Sequence, residues 1–163
     1  MAFTQGNLGI INKNQHDFKA AIEAYEKSNS VLKELKDERG LARNYNNLAA
    51  LYEELEEYDQ AFYYVNQSLS KAKTVDDAST VTSALHNLGN LYRKKGDFAF
   101  ARSNYEKSLE IAERLDNKNV IRDNHMAFAK LYEQTGKPSL ALEHQKSFAS
   151  WKDSITSQEH LKA

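Results

Sequence analysis

The sequence has no cysteine, and it contains only one proline and six glycines among its 163 residues. Without cysteine the chain can form no disulfide, no thiolate metal site and no cysteine nucleophile. Such a composition fits a reducing compartment, and a cytoplasmic location is expected. Because proline and glycine are the residues that helix interiors tolerate least, their scarcity favours a chain that is helical almost throughout.

Long apolar runs and a strong excess of one charge are also missing. The sequence has no run of about 18 apolar residues that could cross a membrane, and its N-terminus shows no secretory signal pattern. The 22 basic and 23 acidic residues are interspersed and give a formal net charge of −1. Since phosphate backbones are bound by basic patches or stripes, neither nucleic acid nor a membrane is an expected partner.

Patterns that carry catalysis or metal binding are absent from the sequence as well. The histidines form no His-x-x-x-His pair and no zincin pattern, so they are interpreted as isolated surface or groove residues: His16, His86, His125, His144 and His160. No glycine-rich phosphate loop is present. We therefore expect no catalytic residue, no metal and no cofactor, and hence a protein that is not an enzyme.

What the sequence does contain is a repeat of forty residues, without gaps. The same step aligns large apolar residues at one position (Leu8, Leu48, Leu88 and Phe128) and small residues at two others (Gly9, Ala49, Gly89 and Ala129; Ala21, Ala61, Ala101 and Ala141). Within each repeat the apolar residues recur at spacings of three and four, as on one face of an α-helix. Small residues at fixed positions predict close approach of neighbouring helix backbones.

The third repeat shows how one unit is built. Its first apolar stripe includes Leu88, Gly89 and Tyr92, and its second begins after a break at Gly96-Asp97. Two helices separated by so short a break form an antiparallel hairpin. A carboxylate just before the second helix is expected to cap it, so Asp97 is a predicted cap.

The order Leu-Gly-x-x-Tyr, then Gly-x-Phe, Ala, Tyr and Ser, resembles the tetratricopeptide repeat in four copies over essentially the whole chain. The period of forty exceeds the usual length of roughly 34 residues; such repeats resemble those of Pins-type scaffolds and of sensor regions in bacterial signalling proteins. The resemblance implies an all-α, right-handed superhelical solenoid of four hairpins, about eight helices, forming a single array over residues 1–163. Its repeats are expected at about 1–37, 38–77, 78–117 and 118–163, with the last helix extended.

The first helix of each hairpin (together, the first helices) has one polar face. This face is expected to line the concave groove in which such arrays hold a peptide or a helix. The predicted binding residues on this face are Asn7, Arg43, Asn46, Asn47, Glu53, His86, Asn87, Asn90, Arg93, Met126 and Lys130. Asn7, Asn47 and Asn87 recur forty residues apart, and a carboxamide can both donate to and accept from a ligand backbone. The alternative is that these asparagines are inherited fillers on a solvated face, or that their amides bond to neighbours on their own helix.

Two further sets of residues have an expected role. Ser28, Ser68 and Ser108 share one repeat position and are interpreted as small packing residues. In the last helix, Phe148, Trp151 and Ile155 form an apolar stripe that predicts a contact site. Self-association as a homodimer through terminal repeats is the favoured interpretation; the alternatives are a further part of a longer protein and the last helix folding back. The favoured function is a protein-interaction scaffold for a protein or peptide ligand. The alternative is a regulatory sensor domain of, or acting on, a bacterial signalling enzyme such as a histidine kinase.

Overall fold

The computed structural model describes the backbone of residues 17–160 and the side chains of residues 17–157. This part of the chain contains seven α-helices and no strand, which confirms the all-α prediction. The helices are α1 (Phe18–Glu34), α2 (Glu38–Glu54), α3 (Tyr58–Thr74), α4 (Ala78–Lys95), α5 (Phe98–Arg114), α6 (Lys118–Gln134) and α7 (Pro138–His160). Four hairpins would give about eight helices, and the remaining one was predicted before Asp17, outside the described residues.

The turns between helices follow one pattern at intervals of twenty residues. After α1, Asp37 N–H donates to the Leu32 carbonyl at 2.9 Å, and Lys36 N–H to the Lys33 carbonyl at 3.1 Å. This pair of hydrogen bonds is a Schellman motif, which satisfies carbonyls that the helix end leaves unpaired. The bond equivalent to that of Asp37 closes all six turns, at 2.8–2.9 Å. Helix and turn together therefore form a module of twenty residues, and two modules form one repeat.

Each of these turns needs one residue with a left-handed backbone. Glycine fills the position at Gly96 and Gly136, where φ is +87° and +68°. The other four turns place a side chain there, with φ between +49° and +61°, at Lys36, Glu56, Asp76 and Asp116. Because the left-handed region is unfavourable for residues with a Cβ, only the Gly96 and Gly136 turns have a clear sequence signal.

Side-chain caps are used at some helix starts. Asp17 and Asp37 accept a hydrogen bond from the backbone N–H three residues on, and Asn117 does the same for α6. Asp97 is the N-cap residue of α5, but its side chain makes no capping hydrogen bond, so that part of the prediction was wrong. Only its carbonyl serves the helix, accepting from Ala101 N–H at 3.0 Å.

The chain forms two compact units, the first ending at Asn87 and the second beginning at Leu88. In the first unit, α1 packs on α2 and α2 on α3. Its core consists of Ala21, Tyr25, Leu48 and Leu51, with a smaller cluster of Leu32 and Leu41. In the second unit, α5 packs on α6 and α6 on α7. Its core consists of Ala101, Tyr105, Ala127, Phe128 and Leu131.

The repeated small residues lie where helices approach each other. Ala61 and Ala101 are both 0% exposed. A Cβ added to Gly89 would lie 2.5 Å from Cε1 of the Tyr105 ring, so α4 reaches α5 across a contact that leaves no room for a methyl group. The prediction of close helix approach at these positions is confirmed.

Candidate partner-binding site

In the first unit, the structure brings together two of the predicted binding residues. Asn87 Nδ2 of α4 donates a hydrogen bond of 2.9 Å to Asn46 Oδ1 of α2, and both amides are half-buried. The two residues lie forty-one positions apart, on consecutive first helices. Since a carboxamide has two N–H donors and an oxygen with two lone pairs, one mutual bond leaves each amide with further hydrogen-bonding capacity.

Asn47, the neighbour of Asn46, turns to a different partner. Its side chain hydrogen-bonds the hydroxyl of Tyr25, whose ring is 1% exposed. Burial raises the pKa of Tyr25 to about 12, and the bond from Asn47 opposes this rise in part. Asn47 therefore supports the core as well as the polar face, a role that its sequence position did not indicate. Asn7 lies outside the described residues.

Arg43 takes part in a charged contact between α2 and the start of α4. Its Nε lies 3.5 Å from Asp77 Oδ2, and the Nε of Arg39 lies 3.9 Å from the same oxygen. Burial raises the pKa of Asp77, but hydrogen bonds from Thr80 and the two arginines outweigh burial, so the pKa lies below its usual value. Arg43 remains 56% exposed, so it can also contact a ligand.

In the second unit, the predicted residues make separate contacts. Asn90 Oδ1 accepts a bond of 2.7 Å from the Tyr105 hydroxyl, and Arg93 Nη1 donates to Gln134 Oε1 at 3.0 Å. The Nε of Arg93 is buried without a hydrogen-bond partner among the described residues. On α6, Met126 is half-buried and Lys130 is exposed. In the first unit, His86 and Glu53 are half-buried as well.

Sequence reasoning missed two buried asparagines that tie neighbouring repeats together. Asn44 Nδ2 donates to Ser28 Oγ at 2.8 Å in the first unit, and Asn124 Nδ2 donates to Ser108 Oγ at 2.9 Å in the second. Both pairs are separated by sixteen residues. For Ser68 the position sixteen residues later holds Ala84, and the Ser68 hydroxyl instead donates to the Ala42 carbonyl at 2.7 Å. The signal was present, because Ser28 and Asn44 recur eighty residues later as Ser108 and Asn124.

The histidines of the last hairpin are not isolated, which corrects the sequence interpretation. His125 of α6 and His144 of α7 lie with their Nδ1 atoms 2.9 Å apart. The His144 ring also stacks on Phe128 and Tyr132, with centroid distances of 4.8 and 5.5 Å. Their separation of nineteen residues places them on facing helices of one hairpin. Short spacings such as His-x-x-x-His, which describe a single helix, do not include such a pair.

The predicted apolar stripe on α7 is partly accessible. Phe148, Trp151 and Ile155 are each half-buried. Ser108 of α5, which has the repeat position of Phe148, is 0% exposed and is covered by Asn124 of α6. The face that the following helix covers in α5 is thus partly open in α7.

The described residues contain neither a metal-binding cluster nor a membrane-spanning helix. No group of three or more His, Cys, Asp or Glu side chains in residues 17–157 is arranged to hold a metal ion. Among α1 to α7, none is both long enough and apolar enough to span a bilayer.

Helical hairpins that recur every forty residues, with small residues at the helix crossings, define an α-helical repeat protein. The sequence pattern of the family described as tetratricopeptide repeat matches residues 1–74 and 80–147. The chain belongs to the tetratricopeptide repeat family. No curated protein sequence matches the chain significantly.

Solved structures have a similar fold. BtubC (BKLC) from P. vanneervenii is 21% identical, with a TM-score of 0.77 over 95% of this chain and 64% of its own. Aspartyl phosphate phosphatase F from Bacillus subtilis is 12% identical, with a TM-score of 0.84 over 95% of this chain and 41% of its own. A MamA protein is 16% identical, with a TM-score of 0.53 over 96% and 94%. This chain thus spans less than two thirds of the first two, and the likeness concerns the fold.

Proposed function

We propose that the chain is a non-enzymatic protein-interaction module that holds an extended segment or a helix of a partner protein on the polar face of its first helices. The observation that carries the proposal is the Asn46–Asn87 bridge, in which half-buried amides of consecutive first helices meet. A surface of this kind can bind peptide N–H and C=O groups whatever the side chains of the peptide. The tetratricopeptide fold, typical of interaction scaffolds, supports the proposal.

Other predicted binding residues, each within its own unit, would add selectivity. In the first unit these are Arg43 and Glu53 of α2, with His86 of α4. In the second unit, Met126 offers an adaptable apolar contact and Lys130 a charge. Arg93 has a buried N–H without an acceptor, and such a group is costly unless binding or rearrangement satisfies it. A net charge of −1 supports protein rather than nucleic acid as the partner, and the lack of cysteine supports a cytoplasmic location.

The amide bridge gives a test with peptides selected from a randomised library displayed on phage. Replacing both residues, as Asn46→Ala with Asn87→Ala, is expected to weaken the binding of a selected peptide by about 1–3 kcal/mol, because the peptide amides lose their partners. Calorimetric titration measures this loss. The unfolding free energy should change little, since the substitution removes both ends of the bridge together.

Asn66 of α3 provides the matched control. Its Nδ2 donates to the Phe62 carbonyl at 2.8 Å, on an exposed second-helix surface of the same unit. Asn66→Ala should leave the affinity for the peptide unchanged. Undiminished affinity of the Asn46, Asn87 double variant would exclude the amides as a binding surface. By contrast, Asn47→Ala is unsuitable as a pure binding test, because it also removes the partner of the Tyr25 hydroxyl.

We further propose that two copies of the chain associate through terminal repeats, with Phe148, Trp151 and Ile155 of α7 in the contact. The partly open α7 face supports this. Trp151→Glu is expected to shift a dimer to a monomer, because a carboxylate cannot be buried there without a partner. Light scattering over a dilution series measures the shift, and Lys152→Glu, at an exposed neighbour, is the charge control. A wild-type chain that remains monomeric at high concentration excludes this association.

A regulatory sensor domain of, or acting on, a bacterial signalling enzyme is the second candidate function. The length of α7 favours it: this helix has 23 residues, whereas α1, α2 and α3 have 17 each. An extended helix of this kind could transmit the binding of a ligand to an attached or associated enzyme. The native gene distinguishes the two functions, because a coiled coil and a kinase encoded after residue 163 would favour the sensor.

A further inference from the structure

The two rings of the His125–His144 pair constrain each other's protonation. Their Nδ1 atoms are 2.9 Å apart, a hydrogen-bonding distance. A neutral imidazole carries one N–H and one lone pair, whereas an imidazolium has two N–H groups and no acceptor. The contact therefore requires one Nδ1 to donate and the other to accept. A pair in which both rings are charged loses the bond and places two like charges side by side.

The surroundings also disfavour charge on these rings. Burial lowers the pKa of His125, and the charge of His144 lowers it further. Burial likewise lowers the pKa of His144, and Glu143 opposes the lowering at both histidines. Glu143 is itself exposed, so its field is screened by solvent.

Each helix packed around the pair contributes mainly uncharged groups. Phe128 and Tyr132 of α6 stack on the His144 ring. From α5, Tyr105 meets Phe128 edge-on, and its hydroxyl is bonded to Asn90. From α7, Glu143 is the acidic group that acts on both histidines. No described side chain of α5, α6 or α7 supplies an ion pair that would offset the charge of an imidazolium here.

The second repeat shows what the same hairpin position looks like without a titrating group near neutral pH. Eighty residues earlier, the equivalents are Tyr45 of α2 for His125 and Tyr64 of α3 for His144. Their rings also contact each other across the hairpin, with centroids 5.7 Å apart, compared with 5.2 Å for the histidines. Ring packing is therefore common to both hairpins, whereas a ring pair that can bind a proton near neutral pH is specific to the last hairpin.

We propose that the His125–His144 pair makes the packing of α7 on α6 sensitive to acid, so that the last hairpin loosens below about pH 6.5 while α1, α2 and α3 do not respond. The direction of this pH dependence follows from how readily the two histidines bind protons in each state. Both bind protons less readily in the packed hairpin than when it is open. The contribution of the pair to stability is fully present above about pH 6.5, the usual pKa of histidine. It decreases as the pH falls toward the lower pKa values of the packed state.

Amide hydrogen exchange of the whole 163-residue chain, followed by NMR from about pH 8 to about pH 5, tests the proposal. After correction for the intrinsic exchange rate, the opening constants of α6 and α7 amides should rise as the pH falls. The rise should reach up to about tenfold per pH unit for each additional proton that the open state binds. Helices α1, α2 and α3 contain no histidine and act as the internal control.

The double variant His125→Tyr with His144→Tyr reproduces the ring pair of the second repeat and should abolish the pH dependence. The same pH dependence in this variant, or equal pH dependence in α1 to α3, overturns the proposal. A second measurement does not require the variant to fold. Nitrogen-15 shifts of the wild-type rings at neutral pH should show one histidine protonated at Nδ1 and the other at Nε2. Two rings that are both protonated at Nε2 would also overturn it.

Discussion

Replacing Gly89 with alanine is expected to destabilise the second unit by about 1–3 kcal/mol, the usual cost of overpacking. This direction is opposite to helix propensity, on which alanine exceeds glycine by about 1 kcal/mol. The added Cβ would lie 2.5 Å from Cε1 and 2.6 Å from Cδ1 of Tyr105. The Tyr105 ring is 0% exposed and its hydroxyl is held by Asn90, so it cannot move aside without losing packing or its hydrogen bond.

The chain supplies its own control for this substitution. In the second repeat, the equivalents of Gly89 and Tyr105 are Ala49 and Val65, which are 1% and 0% exposed. In a Tyr105→Val background, Gly89→Ala should therefore stabilise the protein by up to about 1 kcal/mol, since only the propensity remains. Chemical denaturation of the four proteins of this cycle measures the reversal of sign. A destabilisation of equal size in both backgrounds would mean that the clash is not with the tyrosine ring.

Replacing Asn124 with aspartate should have the largest effect on stability, about 3–5 kcal/mol at neutral pH, as for an uncompensated buried charge. Asn124 is 0% exposed, and its Nδ2 donates both to Ser108 Oγ at 2.9 Å and to the Val120 carbonyl at 3.0 Å. Aspartate has almost the same shape but places a carboxylate oxygen against the carbonyl of Val120. Because the substitution changes the charge and the donor rather than the volume, its cost reports on the polar pair.

The pH dependence of this variant separates charge from packing. Burial should raise the pKa of the new carboxyl in the folded state above about 3.9, its value in the unfolded chain. Between these two values the folded state binds more protons, so the penalty grows as the pH rises and shrinks in acid. Asn124→Ala is the control: it should cost about 1–3 kcal/mol without this pH dependence. A flat pH profile of the aspartate variant would mean that water reaches the site.

Much of the fold could be predicted from the residues because local patterns specify it. The forty-residue period, the helical spacing of the apolar residues and the small residues at the crossings identify the family, and Ala61 and Ala101 are buried as expected. What the sequence did not indicate is the left-handed residue of four of the six turns, where Lys36, Glu56, Asp76 and Asp116 stand in place of a glycine. Their left-handed backbone is imposed by the hydrogen bonds that close the preceding helix, which outweigh the local preference.

The site was predicted less fully, for a physical reason. A single polar face could be assigned to Asn46, Asn47 and Asn87, since positions on a helix surface follow from spacing. The partners of these amides could not be assigned. Asn87 bonds to Asn46 on another helix, whereas Asn47 bonds to the buried Tyr25. The partner to which a carboxamide bonds depends on the distances between helices. Two residues that are adjacent in the sequence can therefore contact different helices.

The sequence by itself determined the helical hairpin, its repetition and the family, because each follows from contacts between residues close in the chain or from a period. Only the tertiary structure decided which polar groups are structural. Asn124 is buried beside Ser108, sixteen residues away, and His125 meets His144 across a hairpin. Hydrogen bonds form only within about 3 Å, and the packing of one helix on the next sets such distances. A repeat period specifies which helices are neighbours, but not which of their side chains meet.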